Sequence, residues 1–366
     1  MKKVLWLALV LTIALVMLAG CGGAPVEETP ADETPVDETP EEEVSEPGTS
    51  KLGLGVVTSI ARSRDAGDEV TAQAQSDVVM AAVLFDAEGK VVSVTIDNAQ
   101  TRVPFDEEMQ VAVDTTAPGK TKVELGDDYG MKRVSEIEME WYEQMAEFEN
   151  WMLGKTVDEI KNLQVKVVDD AHQNVPDVPE LTSVVTITVE GYIEAVENAY
   201  NNSIEVENAA TAGLGTGVSI ARSRGLDEDN DILPMAQIDN TMAAVAFDAD
   251  GVIVGAIIDN AQIRINYDAD GMVTSDRSEA PKTKVQLGDD YGMRRVSEIE
   301  MEWYEQIEAL SDWMVGKTVA EVLGLQVKVV DDAHQAVPDV PELTSTVTIT
   351  VESYQEAVAK AFDNAR

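Results

Sequence analysis

Apolar positions along this chain fall into three regimes. The first is an unbroken run from Val4 to Ala19, preceded by Lys2 and Lys3. It is short for a membrane span and of the right length for the core of a secretory leader. The second regime, residues 22–50, carries ten acids, no bases and almost nothing apolar. The third begins near residue 52, where apolar residues return in periodic groups.

Within the third regime, period-two and all-apolar runs predict strands over Leu54–Arg64, Val78–Asp86 and Val91–Asp97. Ala87-Glu88-Gly89 is a hairpin-turn signal between the last two, and Asp248-Ala249-Asp250-Gly251 serves the same place further on. Val134, Ile137, Trp141, Met145, Phe148 and Met152 recur at three- and four-residue steps and predict one helix over Val134–Met152, stopped by Gly154. A second short helix is expected over Thr156–Asn162, with Thr156 as its cap. Strands follow at Leu163–Val168 and Ser183–Val189, and a closing helix at Tyr192–Tyr200. Strands flank helices without regular βαβ alternation, which predicts an α+β fold, a mostly antiparallel sheet packed by helices.

The same pattern occurs twice. Lys120–Glu190 matches Lys282–Glu352 at an offset of 162, with roughly four in five positions identical. Leu125–Met131 recurs as Leu287–Met293, and Ser59–Arg64 recurs as Ser219–Arg224 at a slightly shorter offset. The sequence therefore divides into a leader (1–20), an acidic tether (21–51), repeat one (52–202), a connector (203–211) and repeat two (212–366). Each repeat has its own strands and a full apolar helix stripe, so each is expected to fold alone.

Charge changes the picture at both ends of the chain. The 366 residues carry 69 acids against 26 bases, a formal net charge of −43. Such a surface repels nucleic acid and anionic lipid heads, and excludes both as electrostatic partners. The acidic segment, with its repeated Glu-Thr-Pro units, cannot bury a core and reads as an extended tether. A flexible chain of that length spans roughly 30 Å. The leader ends in Leu18-Ala19-Gly20-Cys21, which resembles the lipobox of bacterial lipoproteins. That resemblance implies acylation of Cys21 and anchoring to the cell membrane on its outer side. Cys21 is the sole cysteine, so no disulfide within the chain is available, and any redox chemistry needs a borrowed cofactor.

Candidate chemistry is sparse. Asp169, Asp170 and His172, repeated around His334, offer carboxylate and imidazole ligands without a strong metal spacing. Asp127-Asp128 between Gly126 and Gly130, and the acidic stretch Asp227–Asp231, read mainly as turns. Arg62 and Arg64, with Arg222 and Arg224, alternate along a predicted strand and could clamp a phosphate or carboxylate, with Lys120 and Lys122 close by in the motif. Trp141, Tyr142 and Trp151 could stack on a planar ring, although their helical spacing suits core packing. There is no Gly-rich phosphate loop, no Ser-His-Asp order and no paired-cysteine motif.

One resemblance gives these residues a context. Ser183-Val184-Val185-Thr186-Ile187-Thr188, followed by Ile193-Glu194-Ala195-Val196, resembles the end of the FMN-binding domain family. So does Ser345-Thr346-Val347-Thr348-Ile349-Thr350 before Glu356-Ala357-Val358. The hairpin Glu88–Ile96 is similar to that family's hairpin motif. The family includes flavin-carrying subunits of NADH–quinone reductases and lipoproteins of extracellular electron transfer. The resemblance implies FMN as cofactor, Thr186 and Thr348 as phosphoester acceptors, the four arginines as counter-charges, and a membrane quinone reductase or another redox protein as partner. The family's Gly-Ala before the acceptor is Val184-Val185 here and Thr346-Val347 in repeat two, which stiffens and crowds the segment. The competing expectation is a surface binding module, without catalysis, for a cation, a peptide or a cell-wall ligand.

Overall fold

The structure is a computed structural model and describes residues 48–366; Cys21 and the tether up to residue 47 lie outside them, while Thr49–Lys51, assigned to the tether from the sequence, already belong to the first strand. Repeat one builds a sheet from β1 (Thr49–Ser59), β2 (Gln73–Phe85) and β3 (Val91–Pro104). Its helices are α1 (Lys122–Leu125), α2 (Trp141–Met152), α3 (Val157–Lys161) and α4 (Glu190–Asn201), with the short ribbon β4 (Val165–Lys166) and β5 (Val175–Pro176) between α3 and α4. β6 (Ile204–Glu207) then returns to pair with β1. Repeat two follows the same plan: β7 (Thr211–Ser219), β8 (Met235–Phe247), β9 (Ile253–Asn266), α5 (Lys284–Leu287), α6 (Trp303–Met314), α7 (Val319–Leu323), β10 (Val327–Lys328), β11 (Val337–Pro338) and α8 (Glu352–Asp363). The main sheets run β3-β2-β1-β6 and β7-β8-β9, and every pairing in them is antiparallel. The fold is α+β.

The two sheets pack face to face, and helices cover each outer face. One apolar cluster, including Met80, Leu84, Val103, Ile238, Met242 and Ile263, draws on both repeats and fills the middle layer. Two further clusters lie between each sheet and its own helices. This layering explains why Val78–Phe85 is a continuous apolar run: alternate residues face the shared core and the helix side, and both are buried. β1 lies against β9, β3 against β7, and β2 against β8. That reciprocity is what a two-fold relation between the repeats produces.

The expectation of separately folding repeats therefore gives way to one compact unit. The connector is not structureless either: residues 204–207 form β6, whose Val206 is buried in the shared core. Glycines set the approach of helix to sheet. A Cβ on Gly55 would lie 1.7 Å from the Ala195 carbonyl oxygen, and one on Gly215 equally close to that of Ala357. Only glycine allows α4 and α8 to lie this close over β1 and β7.

Other local expectations are corrected by backbone accounting. β1 ends at Ser59, residues 61–62 turn, and Arg64 pairs with Gln73 through an isolated bridge. Helix α2 starts at Trp141 rather than Val134, because Glu140 caps it in a reciprocal box with Glu143. Val134, off the helix, is 83% exposed. Leu163–Val168 shrinks to the two residues of β4. Ser183–Val189 keeps its alternation, with Val185, Ile187 and Val189 buried, but has no strand partner. The Thr186 N–H donates instead to the Gln144 side chain at 2.9 Å. Thr156 does cap α3, its hydroxyl accepting from the Glu159 N–H.

Candidate functional site

On the helix side of each sheet, polar residues interrupt otherwise apolar strands. In repeat one, Gln75 and Gln100 both donate to Asp77, and Arg102 Nε donates to Gln75. In repeat two, Gln237, Gln262, Asp239 and Arg264 reproduce this network at nearly the same distances. Beside each network a lysine from the first turn of a short helix is buried: Lys122 on α1 and Lys284 on α5. Its ammonium lies over two rings, those of Tyr291 at 5.1 Å and Trp303 at 5.0 Å for Lys284, those of Tyr129 and Trp141 for Lys122. Burial pushes both lysines down to about 8, against the pull of Asp77 and Asp239.

In repeat two these groups line an open cleft of about 540 Å³, within the usual range for small-molecule sites. Lys284, Arg222, Asp239, Asn260 and Thr350 face it, and Pro118 and Gly119 of repeat one close one side. The Gly119 N–H donates to the Val218 carbonyl across the repeats. Lys360 on α8 donates to Glu124 of repeat one at 2.5 Å and to the Thr216 carbonyl at 2.8 Å. The cleft is thus completed by both repeats. Two polar atoms in its wall are buried without a partner, Asn260 Oδ1 and Thr350 Oγ1. Asn260 is only 5% exposed. A buried acceptor left unpaired costs about 1–3 kcal/mol, which a ligand donor would recover.

The residues expected from the sequence are placed unevenly. Arg62 and Arg222 flank the two lysines, and Arg222 lines the cleft. The arginines do not alternate on one strand face: Arg62 and Arg222 lie in the turn after the strand, and Arg64 and Arg224 pair through isolated antiparallel bridges with Gln73 and Met235. There Arg64 Nε donates to the Thr71 carbonyl and Arg224 Nε to that of Leu233. The Thr186 and Thr348 hydroxyls donate to Gln144 and Gln306, both fully buried. Thr350, two residues beyond Thr348, is the hydroxyl that lines the cleft. Val185 and Val347 are fully buried in the helix-side cores. Trp141 is also core, its indole N–H donating to Tyr192 at 3.0 Å. Trp151 stacks on Phe148, and Tyr142 donates to Asp127 in the turn at Gly126–Tyr129. Asp227 caps the turn Glu228–Asn230. His172 and His334 sit on exposed turns, each ring paired with the aspartate three residues before it. Among the described residues, no three His, Cys, Asp or Glu side chains converge as metal ligands.

The sequence places Lys122 only as a neighbour of the arginines and gives no role to Asn98 or Asn260. A signal for the lysine–asparagine pair exists. Asp97-Asn98 and Asp259-Asn260 interrupt strands that are otherwise apolar, at the same place in both repeats. The aspartates have a structural role. Asp259 accepts from the N–H groups of Val285 and Asn260, which pins α5 to β9. Burial raises its pKa to about 6, although hydrogen bonds from Thr283, Val285 and Asn260 oppose the rise. The folded chain then holds a proton that the unfolded chain releases nearer pH 4. This contribution is present below about pH 4 and is lost as pH rises through 6, on the order of 2 kcal/mol. Asp259→Asn should therefore be near neutral in urea unfolding at pH 4 and more stable than wild type at pH 7.5. Equal destabilisation at both values would refute it.

Comparisons add little to this geometry. The chain matches no described protein family, and no solved structure is similar to it. It is 33% identical over 104 residues to a Chlorophenol reductase of Desulfitobacterium hafniense, a stretch covering 25% of this chain and 32% of that protein. The similarity thus spans about a third of the relative's length.

Proposed function

We propose that the chain is a lipid-anchored redox carrier that binds FMN without a covalent link in the cleft lined by Lys284. The observation that carries this reading is the pairing of a buried cation with unpartnered buried acceptors: Lys284 beside Asn260 Oδ1 and Thr350 Oγ1. A flavin nucleotide matches both, since its phosphate suits Lys284 and Arg222 and its imide N–H suits Asn260. FMN would supply one- and two-electron transfer, which no side chain here provides. The chain's part is to hold the anion and to keep the ring against the polar wall. Non-covalent binding is favoured because the Thr348 hydroxyl is tied to Gln306, away from the cleft. Partial similarity to a protein named as a reductase agrees with a redox role. A cation, peptide or wall ligand suits the cleft less well, since Lys284 and Arg222 favour an anion.

The test is a fluorescence titration of the purified chain with FMN, with riboflavin and inorganic phosphate as controls. FMN should bind at least tenfold more tightly than riboflavin, and phosphate should compete. If neither flavin binds, the reading fails.

The address is part of the same proposal and rests on Leu18–Cys21. Among the described residues, no helix is long and apolar enough to cross a membrane. Cys21→Ala should move the protein from the membrane fraction to the soluble one and abolish incorporation of labelled fatty acid. Equal membrane retention of both proteins, without lipid label, would overturn it.

A further inference from the structure

We infer that the second repeat alone carries an open ligand cleft, and that the cross-strand pair Gly217–Thr241 keeps it open. This rests on the flavin reading for its ligand but not for its geometry. Gly217 on β7 sits opposite Thr241 on β8. Val57 on β1 sits opposite Val79 on β2, at the same place in repeat one. Both pairs face the helix side, where the lysine, the aspartate and the two glutamines are the same in both repeats.

The two pairs make opposite walls. In repeat two, Gly217 has no side chain, and a Cβ added to it would lie 4.0 Å from Thr241 Cβ. In repeat one, Val57 and Val79 place two branched side chains in that space and join the helix-side apolar cluster. Val79 Cγ2 lies 4.0 Å from where a Cβ on Gly191 would sit. The residue corresponding to Gly191 is Ser353, which lines the open cleft. Polarity changes in the same direction. Asn260 Nδ2 donates to Thr241 Oγ1 at 3.1 Å, which orients the amide and leaves Oδ1 unpartnered in the cleft wall. Asn98 has the apolar Val79 in place of that hydroxyl. Lys360 in repeat two replaces Asn198 in repeat one, adding a positive charge. Asn98 Oδ1 and Thr188 Oγ1 are as unpartnered as Asn260 Oδ1 and Thr350 Oγ1, so what the buried valines remove is volume and the Thr241 hydroxyl. Repeat one therefore keeps the charged network as structure, and repeat two keeps it as a site.

The experiment uses the full chain as wild type, Gly217→Val with Thr241→Val, and Val57→Gly with Val79→Thr. Two readouts are taken. The first is FMN stoichiometry and affinity. The second is independent of flavin: labelling with pyridoxal phosphate, whose aldehyde forms an imine with a lysine amine and loses water, fixed by borohydride and mapped by peptide mass. Wild type should bind one FMN per chain and label Lys284 at least tenfold faster than Lys122. Filling the second cleft should weaken FMN by more than tenfold and abolish the preference for Lys284. Opening the first should create a second FMN site and raise labelling of Lys122. Two equivalent FMN sites in wild type, or equal labelling of the two lysines, would overturn the inference. If no FMN binds while Lys284 is still labelled preferentially, the flavin reading falls and the open second cleft stands. Should the filled variant fail to fold, wild-type stoichiometry and labelling still decide.

Discussion

Phe105→Ala is expected to destabilise both repeats at once, by about 3–5 kcal/mol in a single unfolding transition. Phe105 follows the end of β3 and is 1% exposed in the shared middle layer. Its ring meets that of Tyr267 at a centroid distance of 5.1 Å. Tyr267 is the same position in repeat two, so a residue touches its own counterpart, as positions near a two-fold axis must. Removing the ring leaves a cavity that the sheets, held on their outer faces by helices, can close only in part. Urea unfolding followed by hydrogen exchange on peptides from both repeats checks this. Loss of protection in both repeats by the same amount is expected. Loss confined to residues 48–202 would show two independent domains after all.

Lys284→Met is expected to weaken FMN binding by about 10–100-fold, the fold-change for losing one charge-assisted hydrogen bond of 1.5–3 kcal/mol. Methionine keeps the apolar contacts over Tyr291 and Trp303 and gives up the charge, so the fold should survive. The matching change in repeat one, Lys122→Met, should alter affinity less than threefold, because repeat one has Val57 and Val79 where repeat two has Gly217 and Thr241. Fluorescence titration of both variants under one salt concentration measures the difference. Equal losses for the two would mean that both repeats bind, and no loss for Lys284→Met would mean that the anion is held elsewhere.

Much of the architecture was legible in the sequence because it depends on local pattern. The Asp86–Gly89 turn formed where expected: the Asp86 carboxylate accepts from the Glu88 and Lys90 N–H groups, and Gly89 adopts φ +77°. Thr156 and the closing helix were equally local. What failed depended on partners far away in the chain. The alternation in Ser183–Val189 reports burial of every second residue but cannot say whether a neighbouring strand exists. Here Gln144, 42 residues away, satisfies the backbone instead. The stripe from Val134 continued past the true helix start because periodicity does not register the Glu140 cap. The continuous apolar run in β2 could have shown that both sheet faces are buried, and so that the repeats share a core. At the site, exposed arginines and half-buried threonines drew attention through the motif. The buried Lys284 was hidden because nothing local distinguishes it from a solvated lysine in a helix's first turn.

The central claim is that this chain carries flavin, and the most direct measurement is of the protein from its native membranes. The chain should be isolated under mild conditions that retain a non-covalent ligand, then denatured, and the released flavin quantified by fluorescence against protein concentration. About one FMN per chain, released by denaturation and leaving a polypeptide whose mass includes the lipid on Cys21 but no flavin, is the result predicted by a non-covalent site in the second repeat. A flavin-free protein that also fails to take up added FMN would contradict it.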